Sequence, residues 1–154
     1  MRGALRTGLG VAVAGLAAGL IPTAATAAPA CKPTAVAADE AAMTAMITAQ
    51  RKAAKVAKVA KDPVLWKAGR QKSLEMARGG KFAHSSGSMR WAQGRSGAQN
   101  IAMAPNAQVA FQMMLGSPPH RRNILAGEWR VTGVGAARDC SGLTYYTVNF
   151  AGPA

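Results

Sequence analysis

Negative charge is scarce in this chain. Six acidic residues, Asp39, Glu40, Asp62, Glu75, Glu128 and Asp139, stand against nineteen lysines and arginines, so carboxylate partners for a metal or an imidazole are few. Histidine is scarcer, with only His84 and His120, and cysteine is limited to Cys31 and Cys140. No Gly-x-Ser-x-Gly elbow occurs, no internal repeat is visible, and no aspartate is obviously placed to orient either imidazole, which removes the usual signatures of a serine hydrolase. After the N-terminal segment, no apolar run approaches the about 20 residues that a bilayer-spanning helix requires.

What is abundant is positive charge. A formal net charge of +13 predicts attraction to polyanions: an anionic membrane, a cell-wall surface or stray nucleic acid, with no specific nucleic-acid recognition implied. It is equally the mark of a soluble protein of high pI. Met1, Arg2 and Arg6 precede an apolar stretch from Thr7 to Ile21, and Ala25-Thr26-Ala27 supplies small residues for cleavage. Residues 1–28 therefore read as a signal peptide, 29–38 as a linker and 39–154 as one folded domain of a secreted or periplasmic protein. In such a compartment Cys31 and Cys140 are expected to form a disulfide. The rival reading, a lipidated Cys31, lacks a leucine in Ala28-Pro29-Ala30 and would leave Cys140 alone.

Local signals set the elements. Asp39 to Lys61 is alanine-rich, free of glycine and proline, and starts with an acidic pair, which predicts one long helix with Lys52, Lys55, Lys58 and Lys61 fanned over a broad face. Asp62-Pro63 opens a second helix that runs to about Arg78 and stops at Gly79-Gly80. Phe82 to Gly97 reads as a glycine- and serine-rich connection. Asn106 caps a third helix to Leu115, and Ser117-Pro118 starts a short fourth through Leu125. Arg130 to Gly135 and Leu143 to Phe150 read as two strands around a turn. Helices followed by a hairpin imply an α+β domain with helices packed on an antiparallel sheet. Met103, Met113 and Met114 are expected to fill the core.

Several phrases in this order resemble the CAP superfamily (cysteine-rich secretory proteins, antigen 5 and pathogenesis-related proteins) in its short bacterial form. They are Met46-Ile47-Thr48-Ala49-Gln50-Arg51, Asp62-Pro63-x-Leu65, Phe82-x-His84, Gly97-Ala98-Gln99-Asn100-Ile101-Ala102, Ser117-Pro118-Pro119-His120-Arg121-x-Asn123-Ile124-Leu125, Gly133-Val134-Gly135 and Tyr145-x-x-x-Asn149-Phe150. The resemblance implies an α-β-α sandwich with a cleft where two histidines and two glutamates converge in fuller members and hold a divalent metal such as zinc. His84 and His120 match the histidine positions. Gln99 stands at the first glutamate position and Ser117 at the second, so the cleft residues are His84, Gln99, Asn100, Ser117 and His120, with no catalytic residue assigned and no cofactor expected, any zinc falling to His84 and His120.

An amide is a weak metal ligand and no base at neutral pH, and two imidazoles fall short of a catalytic zinc site. The resemblance therefore favours a non-enzymatic module that recognises a small or lipid-like ligand. Two alternatives use other parts of the same chain. A metal-assisted or protease-like hydrolase needs Glu75 or Glu128 beside the imidazoles, and a cationic surface binder needs the lysine-rich helix.

Overall fold

A computed structural model describes residues 30–86 and 92–153, and the predicted signal peptide lies outside the described residues. Where capping chemistry is local, the elements begin as the sequence dictates. Asp62 accepts from the N–H groups of Val64 and Leu65 at 2.8 and 3.0 Å, and α2 (Pro63–Ala77) follows with proline in its first turn. Asn106 accepts from Val109 N–H at 2.9 Å and opens α3 (Ala107–Gly116), and α4 (Pro118–Leu125) starts after Ser117, whose side chain makes no capping bond.

The first helix departs from expectation. α1 (Ala37–Ala53) ends eight residues before Lys61 because Lys55 takes a left-handed φ of 58°. Lys55 N–H then reaches Lys52 O at 3.0 Å and Val56 N–H reaches Arg51 O at 2.9 Å, the paired closing bonds of a Schellman turn, with lysine where glycine is usual. Lys55 and Lys58 consequently lie in the connection and Lys61 in a strand, so there is no lysine-rich helix face. Within the segment read as a linker, β1 (Thr34–Ala35) already pairs with the sheet.

Four helices pack on a five-stranded sheet. Its order is β1, β4 (Val131–Arg138), β5 (Thr144–Ala151), β3 (Gly97–Ala104), all antiparallel, and β2 (Ala60–Lys61) pairs in parallel with the start of β4. Strand β3 falls across the end of the predicted connection. It pairs with β5 over its whole length, from Gly97 opposite Ala151 to Ala104 opposite Thr144.

Side-chain alternation gives the sheet two different faces. Val134, Ala136, Tyr146, Val148 and Phe150 point into the main core with Met43 and Ile47 of α1, Phe111 and Met114 of α3, Ile124 of α4 and Trp129. Each fully buried apolar side chain of this kind contributes about 1.5–3 kcal/mol. Their neighbours Gly133, Gly135, Thr147 and Asn149 meet α2 on the other face. At Gly135 a Cβ would run into the backbone of Gly69 and Arg70, so α2 seats directly on the strand. Ser73 Oγ, fully buried, lies 3.0 Å from both Gly135 O and Thr147 Oγ1. The α-β-α sandwich inferred from the sequence is thus the observed one.

Long-range polar ties fix the ends. Cys31 and Cys140 form a disulfide with Cα atoms 5.8 Å apart, joining the chain before β1 to the β4–β5 turn across 109 positions. Tyr146 donates to Asp39 Oδ2 at 2.6 Å, and burial together with that carboxylate pushes its phenol well above the usual range. Glu40 accepts from Trp66 Nε1, from the Arg70 guanidinium and from Ala136 N–H, binding α1 to both α2 and β4.

Candidate functional site

The site forms along β3, the strand at the edge of the sheet away from β1. Gln99 sits opposite Asn149 on β5. Its Nε2 donates to Asn149 Oδ1 at 2.9 Å and to Ser85 Oγ at 3.0 Å, while its Oε1 accepts from Ser85 N–H at 2.8 Å and lies 3.3 Å from His84 Nδ1. Asn149 Nδ2 in turn donates to Leu65 O at 2.9 Å, which fixes which end of the Asn149 amide faces Gln99. The amide at position 99 is therefore a matched link between β5, β3 and the His84 segment. A carboxylate here would set one of its oxygens against Asn149 Oδ1.

His120 reaches the same region from α4. Asn100, fully buried, alternates to the opposite side of β3 from Gln99; its Nδ2 donates to His120 O at 2.9 Å and its Oδ1 accepts from Asn123 Nδ2 at 2.8 Å. Asn100 thus positions the His120 backbone and does not line the cleft. Trp129 Nε1 closes the chain of bonds on Asn123 O at 2.8 Å. The imidazole of His120 lines a cavity of about 330 Å³ together with Phe82, Ile101, Met103, Met114 and Ser117. Met113 also borders it, and Phe82, Met103 and Met113 are 52, 40 and 53% exposed. The methionines expected in the core thus divide: Met114 is buried there, whereas Met103, on β3, and Met113, on α3, line an open groove beside β3, which among the described residues is an edge strand.

His84, 36 positions before His120 in the chain, contacts Gln99 of β3 and follows Phe82, which lines the His120 cavity. Burial holds the His120 imidazole below its ordinary 6.5, and the His84 charge pushes it the same way. The fold therefore favours neutral His120. Its stabilising contribution is present above the unfolded value near 6.5 and is lost as pH falls through the lower folded value. In an NMR titration the His120 ring should show a midpoint below 6.5, and His84→Ala should raise that midpoint only partway, burial being the larger cause. A wild-type midpoint at or above 6.5 would contradict the half-buried placement.

The donor set does not fit a catalytic divalent metal. Two imidazoles and a saturated amide supply fewer than the three strong protein ligands such a site needs, and among the described residues no group of three or more histidine, cysteine, aspartate or glutamate side chains converges. Nor does a carboxylate reach either imidazole within that set. Glu75 faces Ser85 and Ser86 across a cavity but bonds to Lys72 at 3.0 Å, and the charge of Glu128 acts on Arg51. The arrangement offers hydrogen-bonding groups, neutral at one imidazole, beside an apolar groove.

A family model described as the cysteine-rich secretory protein family, CAP, matches residues 44–150. No curated protein sequence matches the chain. Among solved structures, an outer surface protein from Borrelia burgdorferi aligns with a TM-score of 0.70 at 14% identity, covering 79% of this chain and 98% of that one. An extracellular protein containing an SCP domain from Bacillus anthracis aligns at 0.65 with 22% identity over 75% of this chain and 41% of its own. Venom allergen-like protein 4 of Schistosoma mansoni aligns at 0.63 with 14% identity, covering 77% and 92%. At such identities the shared property is the fold.

Proposed function

Because this chain belongs to the cysteine-rich secretory protein (CAP) family, we propose that it is an exported, non-enzymatic binding module whose cleft takes a small, lipid-like molecule. The observation that carries this reading is the clustering of three large exposed apolar side chains, Phe82, Met103 and Met113, around one groove that ends on His120. Exposed apolar side chains gathered in one place mark binding surfaces more often than scattered ones do, and thioethers adapt to ligands of varied shape. The groove volume of about 330 Å³ lies at the small end of ligand pockets. An apolar tail along the methionines with a hydroxyl or carbonyl head toward neutral His120 satisfies both halves of the site.

Export is supported by the disulfide, which suits an oxidising compartment. The basic exterior would raise encounter with anionic membranes or cell-wall polymers without supplying specificity. A hydrolase finds no support in the carboxylate positions. A surface binder would have to act through lysines spread over a helix end, a connection and a strand, not through a helix face.

Equilibrium binding of a fluorescent fatty-alcohol probe tests the reading. Affinity should change less than about twofold between low and physiological salt, since exposed charges are screened over about 8–10 Å. Met113→Asp, which places a charge in the groove, should weaken binding by at least about tenfold. Binding that collapses with salt and ignores Met113→Asp would overturn the cleft in favour of the basic exterior.

A further inference from the structure

The opposite edge of the sheet is only partly covered. On that side of β4, β1 pairs with Ala137 and Arg138 and β2 with Val131 and Thr132. The even-numbered residues of β4 turn their backbone groups outward there: Asp62 N–H reaches Thr132 O at 2.9 Å, Val36 N–H reaches Ala136 O at 3.0 Å, and Ala136 N–H reaches Glu40 Oε1 at 3.2 Å. Val134 lies midway and follows the same pattern. It is only 3% exposed, and the alternation turns its N–H and C=O toward this outer side, where neither β1 nor β2 reaches. Buried backbone groups are nearly always paired, so this gap in the ladder offers one donor and one acceptor to whatever enters it, water included.

A cavity of about 400 Å³ lies over the gap, walled by Ala37, Ala41 and Thr44 of α1 and by Trp66 of α2, with Lys61 at its rim. Both carboxylates that border it are already engaged. Glu40 holds Trp66, Arg70 and Ala136, and Asp62 holds Val64, Leu65 and Arg95. Lys61 is exposed and forms no ion pair among the described residues.

We propose that this gap binds the C-terminal end of a short extended peptide, with a backbone amide completing the ladder at Val134 and the terminal carboxylate facing Lys61. An extended backbone is the ligand chemistry that supplies a donor and an acceptor at strand spacing. The bonds at Thr132 and Ala136 close the slot at both ends. Four residue steps along the strand separate them, roughly 13 Å, so a continuous added strand is blocked and a chain end is admitted. The remaining free charge at the rim is positive, which selects the carboxyl end. This site is separate from the histidine cleft, since β4 and β3 lie on opposite sides of β5.

The test is an amide NMR titration of the 15N-labelled protein with acetyl-Ala-Ala as the free acid and as the C-terminal amide. The Val134 amide proton should move downfield and saturate while Gln99 and His120 stay in place. Lys61→Ala should weaken the acid about fivefold, the scale of one exposed ion pair, and leave the amide peptide unchanged. Ala41→Leu, on an exposed position of α1, should block both peptides by filling the cavity. A Val134 resonance that both peptides leave unmoved at millimolar concentration overturns the site, and equal affinity of acid and amide for the natural protein overturns the assignment of the chain end.

Discussion

Gly135→Ala should lower the thermal unfolding midpoint by roughly 10 °C or more, equivalent to about 3 kcal/mol for a domain of this size. The added Cβ would meet the backbone of Gly69 and Arg70, and neither is the far end of a flexible side chain that could swing away. Relief would require α2 to lift off β4, which would also pull Ser73 from Gly135 O and Thr147 Oγ1. Gly116→Ala supplies the control. Position 116 ends α3 with nothing near the site of a new Cβ, so alanine there should be neutral or stabilising by up to about 1 kcal/mol. Equal midpoints for the two variants would mean that α2 is not seated on the sheet in this way.

The second large effect is expected at Arg51, a guanidinium only 1% exposed. Its Nε donates to Ala57 O at 2.9 Å, and its Nη1 donates to Ile124 O at 2.8 Å and Ala126 O at 2.9 Å. These bonds fasten the end of α1 to the connection that follows it and to the C-terminal end of α4. Burial lowers the Arg51 pKa, opposed by Glu128, yet arginine remains charged at any working pH. Arg51→Met would leave three carbonyls without their donor and should cost about 3–5 kcal/mol, read as a fall in the denaturant midpoint at unchanged slope. Arg51→Lys should recover only part of this, since one ammonium cannot reproduce the fork. Because Ile124 and Ala126 follow His120 on the same segment, the Met variant should also broaden the His120 ring resonance. An Arg51→Met protein as stable as the natural one would refute this fastening role.

What could be read from the sequence was what local chemistry decides. Asp62-Pro63 and Asn106 announce helix starts because the cap and its partner N–H lie within three residues of each other. The β4–β5 hairpin was visible in its run of valine, threonine and aromatic residues, with bounds shifted by one to three positions. The end of α1 was hidden because nothing about Lys55 favours a left-handed turn. What bends the chain there is the tertiary pull of Arg51 on Ala57 and the pairing of β2 with β4. Strand β3 was hidden too. Gly97, Ala98, Gln99 and Asn100 are poor strand formers, and eight residues of pairing with β5 override that preference.

The candidate site was open to a different kind of reading. Resemblance of ordered phrases to a known family singled out His84, Gln99 and His120, which residue counting alone could not have done, and the structure sets His84 Nδ1 3.3 Å from Gln99 Oε1. The role of Asn100 was misjudged because Gln99 and Asn100 are adjacent in a strand and so face opposite sides of it. The groove lining was missed for another reason. Met103 and Met113 carry no signal of exposure; their openness depends on where β3, at the sheet edge, and α3 lie in the fold.

The cleft reading is tested most directly by methyl NMR of the methionines while a medium-chain fatty alcohol is added. The Met103 and Met113 methyl signals and the His120 ring should shift together, saturate, and respond identically at high salt. If those signals stay fixed while amides near Lys52, Lys55 and Lys58 move and the effect vanishes with salt, the groove along β3 is not where this protein meets its ligand.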